Sequence, residues 1–201
     1  MHLAKESMVI LLFMDASHFV MGCDFLGYIY GITRRFVKTY SGRKRYNVLG
    51  ALNFVSKKVT TVTNATYITA TEICDLLGKV AIEYAGKPVY IVLDNARYQK
   101  CAIVAELATQ LGINLVYIPP YSPNLNLIER LWKHVKSKLR TKYYDNFNAF
   151  QEKIDSIVSS TDKVDKAIIN RLIGEKVQFF DDYCIVGNDG TREYETVKQA
   201  A

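Results

Sequence analysis

Val89-Tyr90-Ile91-Val92-Leu93-Asp94-Asn95 is a short, unbroken apolar run that closes on an aspartate. A run of that length without alternation suits a strand covered on both faces. Before it, Ile68, Ile73, Leu76, Leu77, Val80, Ala81 and Tyr84 recur at helical spacing over 69–85, and Gly86-Lys87-Pro88 ends that helix. After it, 99–111 reads as a helix closed by Gly112, and 115–118 as a second buried strand. The alternation predicts parallel strands with helices packed over them.

Further out, 8–14 is another apolar run of strand length, and it too leads into an aspartate, Asp15. Residues 25–40 read as extended hairpin material, and 48–55 with 58–63 as a strand pair. Three antiparallel strands therefore precede the parallel ones. On the C-terminal side, Pro119-Pro120-Tyr121-Ser122-Pro123 is a rigid loop that sets where the next helix, 124–142, begins. Ile128, Leu131, Val135 and Leu139 form its apolar stripe, and Glu129, Lys133, Lys136 and Arg140 another face. Helices are expected at 147–159 and 165–173, with a frayed acidic end after Asp181. The fold class is α/β: a mixed sheet with helices on both faces, its site at the strand ends that carry Asp15 and Asp94.

Composition narrows the function. The 201 residues, 49% hydrophobic, suffice for one well-buried domain, and no apolar run reaches membrane-spanning length. A cytoplasmic, nucleoid-associated protein is expected. Cys23, Cys74, Cys101 and Cys184 are scattered without C-x-x-C spacing, which supports neither a zinc nor a redox motif. Residues 172–201 hold six acids and three bases, so the net charge of +6 leaves +9 on the first 171 residues. A basic body points to a polyanionic partner.

Asp15, Asp94 and Glu129 are the candidate catalytic and metal-binding residues. Mg²⁺ takes carboxylate and phosphate oxygens. A pair of such ions can stabilise both the attacking and the leaving oxygen of an in-line displacement at phosphorus. Each carboxylate alone has a plainer reading: a helix cap or turn for the aspartates, a first-turn helix residue for Glu129. Residues 130–142 hold Arg130, Lys133, Lys136, Lys138, Arg140 and Lys142 without an acid, which suits phosphate contact. Arg34, Arg35, Lys38, Arg43, Lys44 and Arg45 form a second acid-free cluster interleaved with Phe36, Tyr40 and Tyr46. That cluster suits either a DNA backbone or a charge-protected edge hairpin. His18 is either near the site or packed beneath the sheet, and Trp132 reads as a core anchor.

Three blocks in order carry a resemblance. They are Met14-Asp15-Ala16-Ser17-His18-Phe19, then Leu93-Asp94-Asn95-Ala96, then 119–132 with Pro120-Tyr121-Ser122-Pro123-Asn124-Leu125-Asn126-Leu127-Ile128-Glu129-Arg130-Leu131-Trp132. Asp94 and Glu129 lie 35 positions apart. This set resembles the catalytic domain of DDE transposases of the mariner-type superfamily. The segment 42–51 is similar to their bacterial insertion-sequence branch.

The resemblance implies a ribonuclease H-like fold over 1–165, with 166–201 as a helical or irregular tail. It implies Mg²⁺- or Mn²⁺-dependent strand cleavage at transposon ends, two ions per site, and attack of the freed 3′-hydroxyl on target DNA, often at TA. Asp15, Asp94 and Glu129 match the triad. Asn95, Tyr121 and Asn126 join Arg34, Arg35, Arg43, Lys44, Arg45, Arg130, Lys133, Lys136 and Arg140 as expected DNA contacts. A homodimer or larger assembly on DNA is implied. Relatives carry helix-turn-helix modules before this domain, so the chain is expected to be a separate second reading frame, a truncated copy or a fragment of a longer product. Ala16 stands where many relatives have an acid. The alternatives are a decayed or domesticated DNA-binding remnant, or a nuclease of the same fold without strand transfer.

Overall fold

The computed structural model describes residues 2–22, 42–96, 98–119, 125–140, 142–163, 166–173, 182–186 and 192–196. A short helix α1 (His2–Lys5) leads into β1 (Ile10–Met21), β2 (Lys44–Asn53) and β3 (Val59–Asn64). Then come α2 (Ala70–Glu83), β4 (Val89–Leu93), α3 (Ala102–Gln110), β5 (Ile113–Tyr117), α4 (Ile128–Leu139), α5 (Phe147–Ser159) and α6 (Lys166–Leu172). The five strands form one sheet in the order β3-β2-β1-β4-β5. β1, β2 and β3 pair antiparallel, and β1, β4 and β5 pair parallel, as the sequence pattern predicts.

Alternation along β1 sorts the two cores. Leu12 and Met14 pack with Leu49, Ile91, Leu93 and the α2 and α3 residues Ile73, Leu76, Leu77, Val80 and Val104. Phe13 and Phe19 pack on the opposite face with Val48, Leu52 and the α4 and α5 residues Leu131, Trp132, Val135, Phe150 and Ile154. Helices therefore cover both faces. None among the described residues is long and apolar enough to cross a membrane.

Local chemistry sets the helix starts. Thr69 and Glu72 form a reciprocal capping box at α2, each side chain reaching the other's backbone N–H. Glu72 also accepts from Asn64 Nδ2 at 3.0 Å, so the cap is tied to β3. Thr69→Ala is expected to cost about 1 kcal/mol in urea denaturation. Asn146 caps α5 by accepting from Ala149 N.

The structure corrects three expectations. β1 does not end at Asp15 but runs on to Met21, because its antiparallel pairing with β2 continues to Met21↔Lys44. The helix expected at 124–142 spans Ile128–Leu139. The acidic end holds a two-stranded antiparallel hairpin, β6 (Asp182–Val186) with β7 (Arg192–Thr196), where fraying is expected from composition. The hairpin expected over 25–40 lies outside the described residues.

Candidate active site

The first two carboxylates are placed by strand register. β1 and β4 pair in parallel up to Phe13↔Val92. Two residues past that pair are Asp15, on β1, and Asp94, just after β4. Phe13 and Val92 both pack on the α4 side of the sheet. With period two, Asp15 and Asp94 face that side too. Asp94 follows the last residue of β4, and one of its oxygens accepts from Ala96 N at 3.0 Å, an Asx turn that orients the carboxylate. Ile118 N donates to Leu93 O at 3.0 Å and Asn95 Nδ2 to Ile118 O at 2.6 Å, tying this turn to the end of β5.

Glu129 comes from the first turn of α4. A buried strut holds that turn to the sheet: Asn126, 2% exposed, donates its amide to Met14 O at 2.9 Å. Glu129 N in turn donates to Asn126 O at 3.2 Å. The carboxylate on α4 is thus anchored one residue before Asp15.

Electrostatics confirm that the three groups share one field. Burial pushes the Asp15 carboxyl up to about 7; a hydrogen bond from the Ala16 backbone opposes this, and the Asp94 and Glu129 charges add to it. Lys136 acts on Asp15 in the opposite, lowering sense. Burial also raises Glu129, with Lys133 opposing and Asp94 adding. Like charges that raise one another's pKa repel. Among the described residues, no three His, Cys, Asp or Glu side chains are gathered closely enough to hold a metal ion between them. The triad is therefore coupled but not closed up. Its donor chemistry, three carboxylates on three separate segments, fits a hard divalent cation such as Mg²⁺ or Mn²⁺.

The expected DNA contacts divide. Arg43, Lys44 and Arg45 are exposed where β2 begins. Lys133, Lys136 and Arg140 are exposed along α4, with Lys136 Nζ 5.8 Å from the Phe19 ring centroid. Asn95 is exposed, though its amide serves the β5 tie. Asn126 is corrected from DNA contact to buried strut, because its donor is spent on Met14 O inside the core. Arg130 is half-buried and donates to Leu172 O at 3.1 Å, so it clamps α6 to the start of α4. Arg34, Arg35 and Tyr121 lie outside the described residues.

Two neighbours, Tyr98 and Gly50, escape sequence reasoning, and a third, His18, is placed on one of the two sides its sequence reading left open. Tyr98 is half-buried four residues after Asp94; burial raises its phenol, and the Asp94 and Asp15 charges add to this. Gly50 lies directly opposite Asp15 in the β1–β2 ladder. His18 projects on the α2 side of β1 rather than toward the triad, its Nδ1 2.7 Å from Asn47 Oδ1. Asn47 donates both amide protons, to Asn64 Oδ1 and Thr66 O, so its oxygen must face His18 and His18 Nδ1 carries the proton. Only Gly50 left a signal, since a glycine inside a strand marks a close approach.

The fold is a five-stranded mixed sheet with three coupled carboxylates, on β1, just after β4 and on α4. The chain belongs to the DDE superfamily endonucleases, whose family model it matches over residues 11–151. No curated protein sequence matches it. Among solved structures it is similar to the Mos1 transposase paired-end complex with left transposon end (TM-score 0.60, 14% identity, 86% of this chain and 54% of that one). It is also similar to the Mos1 strand transfer complex (TM-score 0.58, 14% identity, 86% and 54%). A third likeness is to the Mos1 transposase catalytic domain with raltegravir and Mn (TM-score 0.56, 14% identity, 86% and 80%). At that identity the likeness establishes the shared fold. The chain spans about half the length of the Mos1 chains in the two DNA-complex structures.

Proposed function

We propose that this chain is the catalytic domain of a transposase, which cleaves DNA strands at transposon ends and joins the freed 3′-hydroxyl to target DNA. The observation that carries this reading is the electrostatic coupling of Asp15, on β1, to Asp94, just after β4, and to Glu129, on α4. In this reading Asp15, Asp94 and Glu129 would hold Mg²⁺ or Mn²⁺, whose chemistry would be to stabilise charge on the attacking and leaving oxygens. The Asx turn at Asp94 and the Asn126 strut keep two of the carboxylates in place before DNA arrives. Trp132, Phe19 and the surrounding core exclude water from one side of Asp15. Family membership supports the nuclease step. The likeness to Mos1 assemblies with transposon ends supports DNA as substrate and an assembly of more than one chain as the working form.

Lys133 and Lys136 lie on the exposed face of α4, one and two turns below Glu129, and serve as phosphate contacts. The Lys133→Ala/Lys136→Ala chain is expected to bind DNA more weakly at low salt, its log K against log salt slope shallower by about 2. Fluorescence anisotropy across a salt series measures this; an unchanged slope removes these lysines from the interface. The whole reading is tested by incubating the chain, with Mn²⁺, with DNA bearing the mobile element's ends and a labelled target plasmid. Joined 3′-ends are expected. Hydrolysis without any joining would reduce the protein to a nuclease.

A further inference from the structure

Because Gly50 and Asp15 are direct partners in an antiparallel ladder, their side-chain positions share a face. On that face the Trp132 indole fills the space a Gly50 side chain would need. A Cβ on Gly50 would stand 2.9 Å from both Cη2 and Cζ2 of Trp132 and 3.2 Å from Cγ1 of Val59. The indole cannot simply swing aside: Trp132 is 3% exposed and packs edge-on against Phe19, ring centroids 6.2 Å apart. It also sits one helical turn after Glu129 on α4. The depth to which the ring settles on β2 therefore sets how far the first turn of α4 stands from β1. Asn126 pulls the same turn toward Met14 O, so the ring acts as the stop against which that bond draws.

We infer that Gly50 is a positioning residue: its missing side chain lets Trp132 settle on β2 and sets the height at which α4 carries Glu129 over the strands of Asp15 and Asp94. The inference rests on the metal-binding reading proposed above. Mg²⁺ demands near-ideal octahedral geometry, so a lift of α4 by a few tenths of an ångström registers as lost affinity. Residues that orient metal ligands from outside typically contribute about 10–100-fold to metal affinity, and the same range is expected here.

The test is Mn²⁺ binding by the full chain without DNA, followed by the loss of free-Mn²⁺ electron paramagnetic resonance signal. Gly50→Ala is expected to weaken binding at least about tenfold, while DNA affinity in EDTA stays within about twofold of the parent. Adding Trp132→Phe, which removes the ring atoms nearest Gly50, is expected to restore part of the lost Mn²⁺ affinity. A merely structural glycine predicts the opposite, since the second core change would only add damage. Parent-like Mn²⁺ affinity in Gly50→Ala, or no recovery in the double variant, overturns the inference. Should Gly50→Ala not fold, Trp132→Phe alone decides. Without its stop, α4 shifts and affinity falls; unchanged affinity overturns the inference. If the parent itself binds no Mn²⁺ that Asp94→Asn removes, the metal-binding reading fails and takes this one with it.

Discussion

Asp94→Asn is expected to lose more than a hundredfold of DNA nicking in Mg²⁺ or Mn²⁺ while keeping the parent's fold. Even residues that only orient a metal ligand cost about 10–100-fold, so losing a ligand's charge should cost more. The fold survives because the asparagine oxygen can still accept from Ala96 N, preserving the turn after β4. Conversion of supercoiled to nicked plasmid, with circular dichroism as the folding control, measures both. Equal nicking by the two proteins would leave a DNA-binding remnant as the better description.

Asp15→Asn is expected to stabilise the metal-free protein at pH 8 while abolishing cleavage. The Asp15 carboxyl is raised by burial and by its two acidic neighbours from 3.8 to about 7 in the folded chain. Below pH ~4, near the unfolded carboxylate's pKa, both states are protonated and the site costs nothing. Between about 4 and 7 the folded state holds the proton more tightly than the unfolded state does, so stability falls as pH rises. Above about 7 the folded site carries the full cost of a buried, repelled carboxylate. A shift from 3.8 to about 7, at 1.36 kcal/mol per pH unit, puts that cost on the order of 4 kcal/mol. Urea denaturation in EDTA at pH 5 and pH 8 measures it. The parent should be less stable at pH 8 than at pH 5, and Asp15→Asn should narrow the gap; Glu129, shifted the same way, leaves part of it. A destabilised Asp15→Asn at pH 8 would mean that the Asp15 charge is satisfied without a cation.

Much of this architecture was legible in residue pattern. The run around Leu12 is apolar because both faces of β1 are covered, whereas β4 buries Val89, Ile91 and Leu93 on one face and leaves Tyr90 exposed on the other; 89–93 and 147–159 coincide with β4 and α5. Order and spacing also singled out Asp15, Asp94 and Glu129, whose charges act on Asp15 together in the folded chain. What stayed illegible depends on register and long-range packing. Nothing local shows that β1 continues past Asp15, because that follows from a partner strand some thirty residues away. Asn126 reads as an exposed polar residue in a loop, and only tertiary contact with Met14 O makes it a strut. Arg130 belongs to a basic helix face by composition, yet α6 packs beside it and claims its guanidinium. Gly50 signals a close approach by lying inside a strand, but only the fold shows that the Trp132 indole makes it.

The account stands on three separately delivered carboxylates forming one cation site. Its most direct test is Mn²⁺ binding at pH 8 for the parent, Asp15→Asn, Asp94→Asn and Glu129→Gln, read from the free-Mn²⁺ resonance signal. The account predicts saturable binding in the parent and a loss of at least about tenfold in each single variant. Parent-like affinity in any one of the three would show that the carboxylates do not act as a single site.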